Sequence, residues 1–341
     1  MQDHRHNHLH HPHHHGRSGE RCCMAVGEVL GPVCFQPIGP DLWSLFTNHG
    51  GGNSRFGPRI PNRMFVFRVR EAGGKSHLVA FNVVQPDLEA DQPFLALREL
   101  SAELGAPLRA ILNPGPEHHL SLIPYAEAFP DVPIYVAAGR IERENPTLCA
   151  LPNVERLGEG DALPELGRMG LHVHVWGGFM EGKLVNRTQL RFGARRGTAE
   201  PLLVWHEASG AFINGGHGWF SWPVGAKPLP WPASRMLKLR EGHVTWSPVH
   251  YSVHDHARAA AGAQRTLDWN FEHILDLHVP LDRHLWGRGH AVAESLMRPL
   301  IEGDWDSLPF GREALEIPEG FITGGTWKSY RKALRGSASS V

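Results

Sequence analysis

Asn113-Pro114-Gly115-Pro116-Glu117-His118-His119-Leu120 is the stretch whose reading decides the fold of this chain. It closes a short apolar run, Leu108 to Leu112, and opens a segment with Leu122, Tyr125, Ala126 and Phe129 at helical spacing. The short run predicts a buried strand, and the spaced apolar residues predict a helix with one buried face. Two adjacent histidines therefore stand on a strand-to-helix turn, where α/β proteins concentrate their chemistry. Imidazole is also the commonest protein ligand for divalent transition metals. Taken alone, the pair has a plainer reading as turn histidines that cap the helix or face water.

The neighbourhood extends the strand–helix pattern in both directions. Met64 to Arg70 alternates apolar and polar residues, Leu78 to Val84 is mostly apolar, and Glu71-Ala72-Gly73-Gly74-Lys75 lies between them. This is a β-hairpin pattern with a glycine turn. Asp91 is placed to cap a helix carrying Phe94, Leu97, Leu100 and Leu104, which Gly105 closes. Ile134 to Ala137 follows Pro133 as a further strand, so the order reads ββαβαβ. Beyond it the expected strands are Leu171–Trp176, Leu184–Phe192, Leu202–His206 and Ala211–Asn214. Gly215 to about Ser247 reads as loops, followed by a helix from His256 to Trp269, a strand-like Phe271–Leu277 and a helix over Ala291–Ile301. Strands with helices in both halves of the chain suggest two sheets packed face to face with helices outside.

Composition bounds the function. A chain of 341 residues can bury a sizeable core, and a formal net charge of -1 gives no pull toward nucleic acid or anionic membrane. No apolar run is long enough to span a bilayer, and the N-terminus lacks the apolar region of a signal peptide. Cys22, Cys23, Cys34 and Cys149 show neither CxxC spacing nor the density of a disulfide scaffold, which makes a reduced, cytoplasmic setting the expectation. The first fifteen residues hold eight of the 24 histidines in a low-complexity run that cannot form a core. The expected organisation is a disordered His-rich extension over 1–22, one domain over 23–335 and a flexible C-terminus over 336–341.

Three blocks carry a family resemblance. Asn62-Arg63-Met64 opens the first strand, and Glu117-His118-His119-Leu120 with Ala128-Phe129-Pro130-Asp131 completes the first block. Trp205-His206-Glu207-Ala208-Ser209-Gly210-Ala211-Phe212-Ile213 is the second, and Phe271-Glu272-His273-Ile274-Leu275-Asp276-Leu277-His278 the third. In this order they resemble a metallo-β-lactamase-like protein, and more narrowly an uncharacterised branch of that superfamily. The resemblance implies an α/β fold, a four-layer αββα sandwich, with a metal site along one edge of the two sheets. It also implies a HxHxDH turn, a further histidine, a bridging aspartate and a terminal histidine as ligands. Here Pro114 and Pro116 stand at the first two histidine positions, His118 at the aspartate and His119 at the last histidine. Gly216 stands where the bridging aspartate is expected, within Ile213-Asn214-Gly215-Gly216-His217.

The metal candidates are then His118, His119, His217 and His278, with zinc or another divalent transition metal as the expected cofactor. His217 is either a fourth ligand or a proton shuttle. Glu117 is the nearest carboxylate in sequence and a candidate base, with an exposed place at the helix start as its plainer reading. His290, after Gly287-Arg288-Gly289, imitates the Gly-His ending of the superfamily and ranks just below His278. His172 and His174 alternate along one strand and read as a solvent-facing pair, His206 as a residue packed at a strand end. His250 and the His254-Asp255-His256 cluster have ligand spacing, but Asp255 before an Ala-rich helix reads more simply as an N-cap. Gly50-Gly51-Gly52 lacks the lysine and context of a phosphate loop. Trp219-Phe220-Ser221-Trp222-Pro223 could wall an apolar pocket. Two functions follow: a mononuclear metal-dependent hydrolase of a small ester, lactone or amide, or a non-catalytic relative that binds a ligand or partner in the former cleft. The expected partner is a small-molecule substrate or ligand, with no nucleic acid and no membrane.

Overall fold

Strands with two apolar faces force a layered architecture, because each face needs its own cover. The computed structural model of the chain describes residues 34–49, 60–85, 92–115, 118–180, 201–213, 219–222, 243–246, 252–253, 255–277, 285–304, 315–316 and 322–323. Its first half runs β1 (Gln36–Gly39), β2 (Leu42–His49), β3 (Ile60–Arg70), β4 (Ser76–Phe81), helix α1 (Gln92–Leu104), β5 (Leu108–Leu112), α2 (Leu122–Ala128), β6 (Ile134–Ala137), α3 (Arg140–Glu144), α4 (Pro146–Cys149) and β7 (Val154–Leu157). These seven strands form one sheet in chain order. Pairing is antiparallel from β1 to β4 and parallel from β4 to β7. The expected hairpin is β3–β4, closed where Gly74 N donates to Glu71 O at 2.8 Å.

The second half runs α5 (Pro164–Gly167), β8 (Leu171–Val175), β9 (Phe179–Met180), β10 (Leu202–His206), β11 (Ala211–Ile213), β12 (Trp219–Trp222), β13 (His243–Trp246), β14 (Ser252–Val253), α6 (His256–Leu267), β15 (His273–Leu275), β16 (Leu285–Trp286), α7 (Gly289–Glu302), β17 (Leu315–Glu316) and β18 (Ile322–Thr323). The second sheet has the order β18-β16-β15-β11-β10-β8, with β11 and β15 parallel. One correction belongs here. Gly215 to Ser247 is not loop throughout, since β12 and β13 pair antiparallel within it and β17 joins them. The expected Leu184–Phe192 strand lies outside the described residues, as do Gly50–Gly52 and the side chains of Trp219–Trp222.

Side-chain alternation sorts the core into three layers. Phe65, Phe67, Val79, Phe81, Ala110, Leu112 and Tyr135 of the first sheet meet Val173, Val175, Leu202, Val204, Ala211, Ile213 and Leu275 of the second. The residues between them in sequence point the other way. Met64, Val66, Leu78, Ala80, Ile111, Ile134 and Val136 pack under Phe94, Leu97, Leu100, Leu122, Tyr125, Ile141 and Leu148 of α1 to α4. Leu203, Phe212 and Ile274 pack under Ala259 and Ala263 of α6 and Val292, Ala293, Leu296, Met297 and Leu300 of α7. The result is helix, sheet, sheet, helix. Among the described residues no helix is long and apolar enough to cross a membrane.

The α6 layer approaches its sheet closely because of one glycine. Trp176, buried, donates from Nε1 to Ala259 O at 2.8 Å, and a Cβ added at Gly262 would lie 1.9 Å from the Trp176 ring. Overpacking of this kind costs about 1–3 kcal/mol. Gly262→Ala is therefore expected to lower the free energy of unfolding by about that amount in urea titrations, and an unchanged midpoint would contradict this packing.

Candidate functional site

The three sequence blocks are brought to one edge by strand direction. β4, β5, β6 and β7 are parallel, so their C-terminal ends share an edge of the first sheet. At that edge Leu202 N, at the start of β10, donates to Pro114 O at 2.8 Å in the turn after β5. β11 runs antiparallel to β10, and its last residue, Ile213, pairs with Val204. Ile213 also pairs with Leu275 near the end of β15. The chain therefore leaves β5 toward His118, β11 toward His217 and β15 toward His278 at the same edge. His217, His278 and Glu117 themselves lie outside the described residues.

The histidine turn is tightly tied. Asn113 N donates to Tyr135 O at 2.9 Å, and Asn113 Nδ2 donates to Gly115 O at 2.8 Å within the turn. His118 N donates to Gly115 O at 3.1 Å, and Leu122 N donates to His119 O at 3.2 Å to start α2. His118 is half-buried and His119 is 7% exposed. His119 turns toward the junction of α3 and α4. Its Nδ1 is 3.2 Å from Asn145 Nδ2, and its Nε2 is 3.6 Å from Glu144 Oε2. Arg140 Nε forms an ion pair with the other Glu144 oxygen at 2.8 Å. Burial holds the His119 imidazolium below its ordinary pKa, Arg140 adds to this, and Glu144 opposes it.

A polar set beneath the turn was not singled out in the sequence. Asn82 ends β4 with φ of 60°, is fully buried, and donates from Nδ2 to Asn62 Oδ1 at 2.7 Å and to Arg63 O at 2.5 Å. Arg63 in turn donates to Ser44 Oγ at 3.0 Å. The one local signal is the asparagine at the end of an apolar strand, a residue type that tolerates positive φ. Asn145 and Glu144 were also missed. The Asn145-Pro146 dipeptide is their signal, since Asn145 caps α4 by accepting from Leu148 N at 3.1 Å.

The other histidines belong elsewhere. His290 donates from Nε2 to Leu267 O at 2.8 Å, and Gly289 N donates to Glu272 O at 2.7 Å. Glu272 precedes β15, so His290 stands at the opposite edge, away from the end toward His278. His206 ends β10 at that opposite edge and is buried between the sheets. It hydrogen-bonds the Arg68 backbone on β3 and, through Nδ1 at 2.9 Å, Ser209 Oγ. His172 and His174 do share a face, but it is not a solvent face. His174 is buried under α6, with Nε2 donating to Thr266 Oγ1 at 3.0 Å, because the Thr266 hydroxyl gives its own proton to Gly262 O. His172 stacks on Trp205 at 4.7 Å and bonds Glu207 at 2.6 Å. Asp255 is the N-cap of α6, accepting from Arg258 N at 3.1 Å, while His250 and His254 lie outside the described residues. Among the described residues no three His, Cys, Asp or Glu side chains are grouped to hold a metal.

No family model and no curated protein matches the chain. Solved structures similar to it are metallo-β-lactamases. The enzyme from Pontibacter korlensis is 13% identical over 79% of this chain and 98% of its own, with a TM-score of 0.45. FIM-1 from Pseudomonas aeruginosa, in its mono-zinc form, is 17% identical over 80% and 96%, TM-score 0.45. The enzyme from Erythrobacter litoralis with β-mercaptoethanol in its active site is 13% identical over 81% and 97%, TM-score 0.47. The layers and strand directions described above carry the assignment of fold. The fold is a four-layer αββα sandwich. In this sandwich the site edge and the opposite edge have different chemistry: the first carries the histidine turn, the second carries buried neutral imidazoles that brace the sheets.

Three buried imidazoles, His206 and His273 at that opposite edge and His174 under α6, set a pH dependence. Burial holds His174 down to about 3, with Arg265 adding to it, His206 to about 4 and His273 to about 3. An unfolded histidine titrates near ~6.5. Between that value and the depressed ones the unfolded chain binds protons that the native chain does not. The stability from these groups is complete above pH ~6.5 and is lost as pH falls, up to about tenfold in the unfolding equilibrium per pH unit and histidine. Urea midpoints measured from pH 7 to 5 are expected to fall steadily, with a shallower slope in His206→Gln. A flat profile over that range would contradict neutral burial.

Proposed function

We propose that the site edge is a mononuclear metal centre and that the protein is a metal-dependent hydrolase of a small ester, lactone or amide. The observation that carries this reading is that β5, β11 and β15 end at one edge, each a few positions in sequence before a candidate histidine. Three imidazoles fit zinc: His118, His217 and His278 would hold it, leaving a fourth position open. A bound zinc supplies an acidified water for attack on a carbonyl carbon. Glu117, adjacent to His118, would take the proton from that attack. The polar Asn62–Asn82 pair and the Asn113 turn hold the backbone under His118 in place. With no carboxylate at 118 or 216, a second metal has no bridging ligand, and neither β-lactam nor phosphodiester turnover of the two-metal kind is expected. The cysteine usage suits a cytoplasmic setting for such an enzyme.

A second reading is a ligand-binding protein without catalysis, in which the cleft keeps its shape and has lost its metal. The prolines at 114 and 116 and the engagement of His119 favour it. Elemental analysis separates the two. Protein lacking residues 1–22 is expected to hold about one zinc per chain, as a three-histidine site does, and His118→Ala to lose it. Metal-free protein that still melts cooperatively would favour the second reading. If an ester or lactone is turned over, Glu117→Gln is expected to lower kcat by roughly 100-fold or more with metal content unchanged, in the range of a lost general base.

A further inference from the structure

We infer that His119 is a positioning residue locked into one tautomer by Asn145 and Glu144, and is not a metal ligand. The inference deepens the metal-centre reading and rests on it. The family resemblance aligns His119 with a ligand, so the geometry removes a histidine that the motif would count.

The lock can be read atom by atom. Asn145 Oδ1 accepts from Leu148 N as the cap of α4, which fixes which end of the amide is oxygen. Asn145 Nδ2 is therefore the group 3.2 Å from His119 Nδ1, and it can only donate. His119 Nδ1 must accept, so the ring proton sits on Nε2. That N–H faces Glu144 Oε2, whose carboxylate is held in turn by Arg140 Nε. Neutral imidazole has one lone pair in the ring plane, and Asn145 occupies its direction. The Asn145 N–H stands where a cation on Nδ1 would stand. A metal could reach His119 only by expelling the cap of α4.

The lock has a use at this edge. His119 follows His118 directly, and its own carbonyl starts α2. Fixing the His119 ring against α3 and α4 therefore fixes the backbone that presents His118. The chain after β6 is tied to the chain after β5, so the turn keeps its place despite two prolines.

Long-range 1H–15N spectra of the histidine rings in the full-length protein, with and without zinc, test this. His118→Gln and His119→Gln assign the two rings and separate them from the N-terminal tract. The expected result is a His119 ring protonated at Nε2 whose Nδ1 signal does not respond to zinc, beside a His118 ring that does. Glutamine at 119 retains an acceptor for Asn145 and a donor for Glu144. His119→Gln is therefore expected to keep zinc affinity within about threefold, whereas His119→Ala loses roughly 10-fold or more, the size of a lost outer-shell support. Zinc-induced movement of His119 Nδ1, or equal loss of zinc in His119→Gln and His118→Gln, would overturn the inference. If neither ring responds to zinc, the metal-centre reading fails by itself. The lock is then decided by the tautomer: a proton on Nε2 supports it and a proton on Nδ1 overturns it.

Discussion

The apolar layer between the two sheets is the constraint on which the rest of this structure depends. Phe65, Phe67 and Phe81 on one side and Val173, Leu202, Val204 and Ile213 on the other are removed from water only if the sheets stack. Their outward-facing neighbours then require helices, which α1 to α4 and α6 with α7 supply. Once the sheets are stacked, the directions of β5, β11 and β15 decide which strand ends share an edge. The site edge is thus a by-product of burial. No residue of the histidine turn has to contribute to stability for the three segments to arrive together.

The two edges solve opposite problems. The edge with the β10–β11 turn is braced by buried imidazoles kept neutral, with His206 linking β10 to β3 and His273 accepting from Gly287 N at 2.8 Å. Asp41 anchors the same end through Arg68 and Arg70. Burial raises its carboxyl pKa, but the two guanidiniums outweigh that and leave it below the usual carboxylate value. The site edge is polar in a different manner. Asn82 spends its amide protons on Asn62 Oδ1 and the Arg63 carbonyl, and Asn113 donates to the Gly115 carbonyl, which ties the strand ends without adding charge.

Much of the fold was legible because burial writes a period into the chain. The strands at Leu108–Leu112 and Ile134–Ala137 have the bounds their apolar runs predict, and the hairpin after Met64 turns at its glycines. β12 and β13 escaped notice because tryptophan, glycine and proline obscure a period of two in so short a strand. His174 was misread for a related reason. Alternation shows that His172 and His174 share a face, but only the position of α6 decides whether that face meets water.

The sequence by itself determined the ββαβαβ order around the histidine turn, the stacking of two sheets and the family resemblance of that turn. These are local patterns or direct consequences of one-dimensional hydrophobic periodicity. Only the tertiary structure decided the roles of the individual histidines. His119 is engaged by Asn145 and Glu144, some 25 positions along the chain, and His290 is placed at the far edge by the antiparallel return through β16. Which lone pair of an imidazole is occupied depends on partners that pack beside it in space. Those partners leave no periodic trace in the chain, because one hydrogen bond needs one donor at one distance and not a pattern.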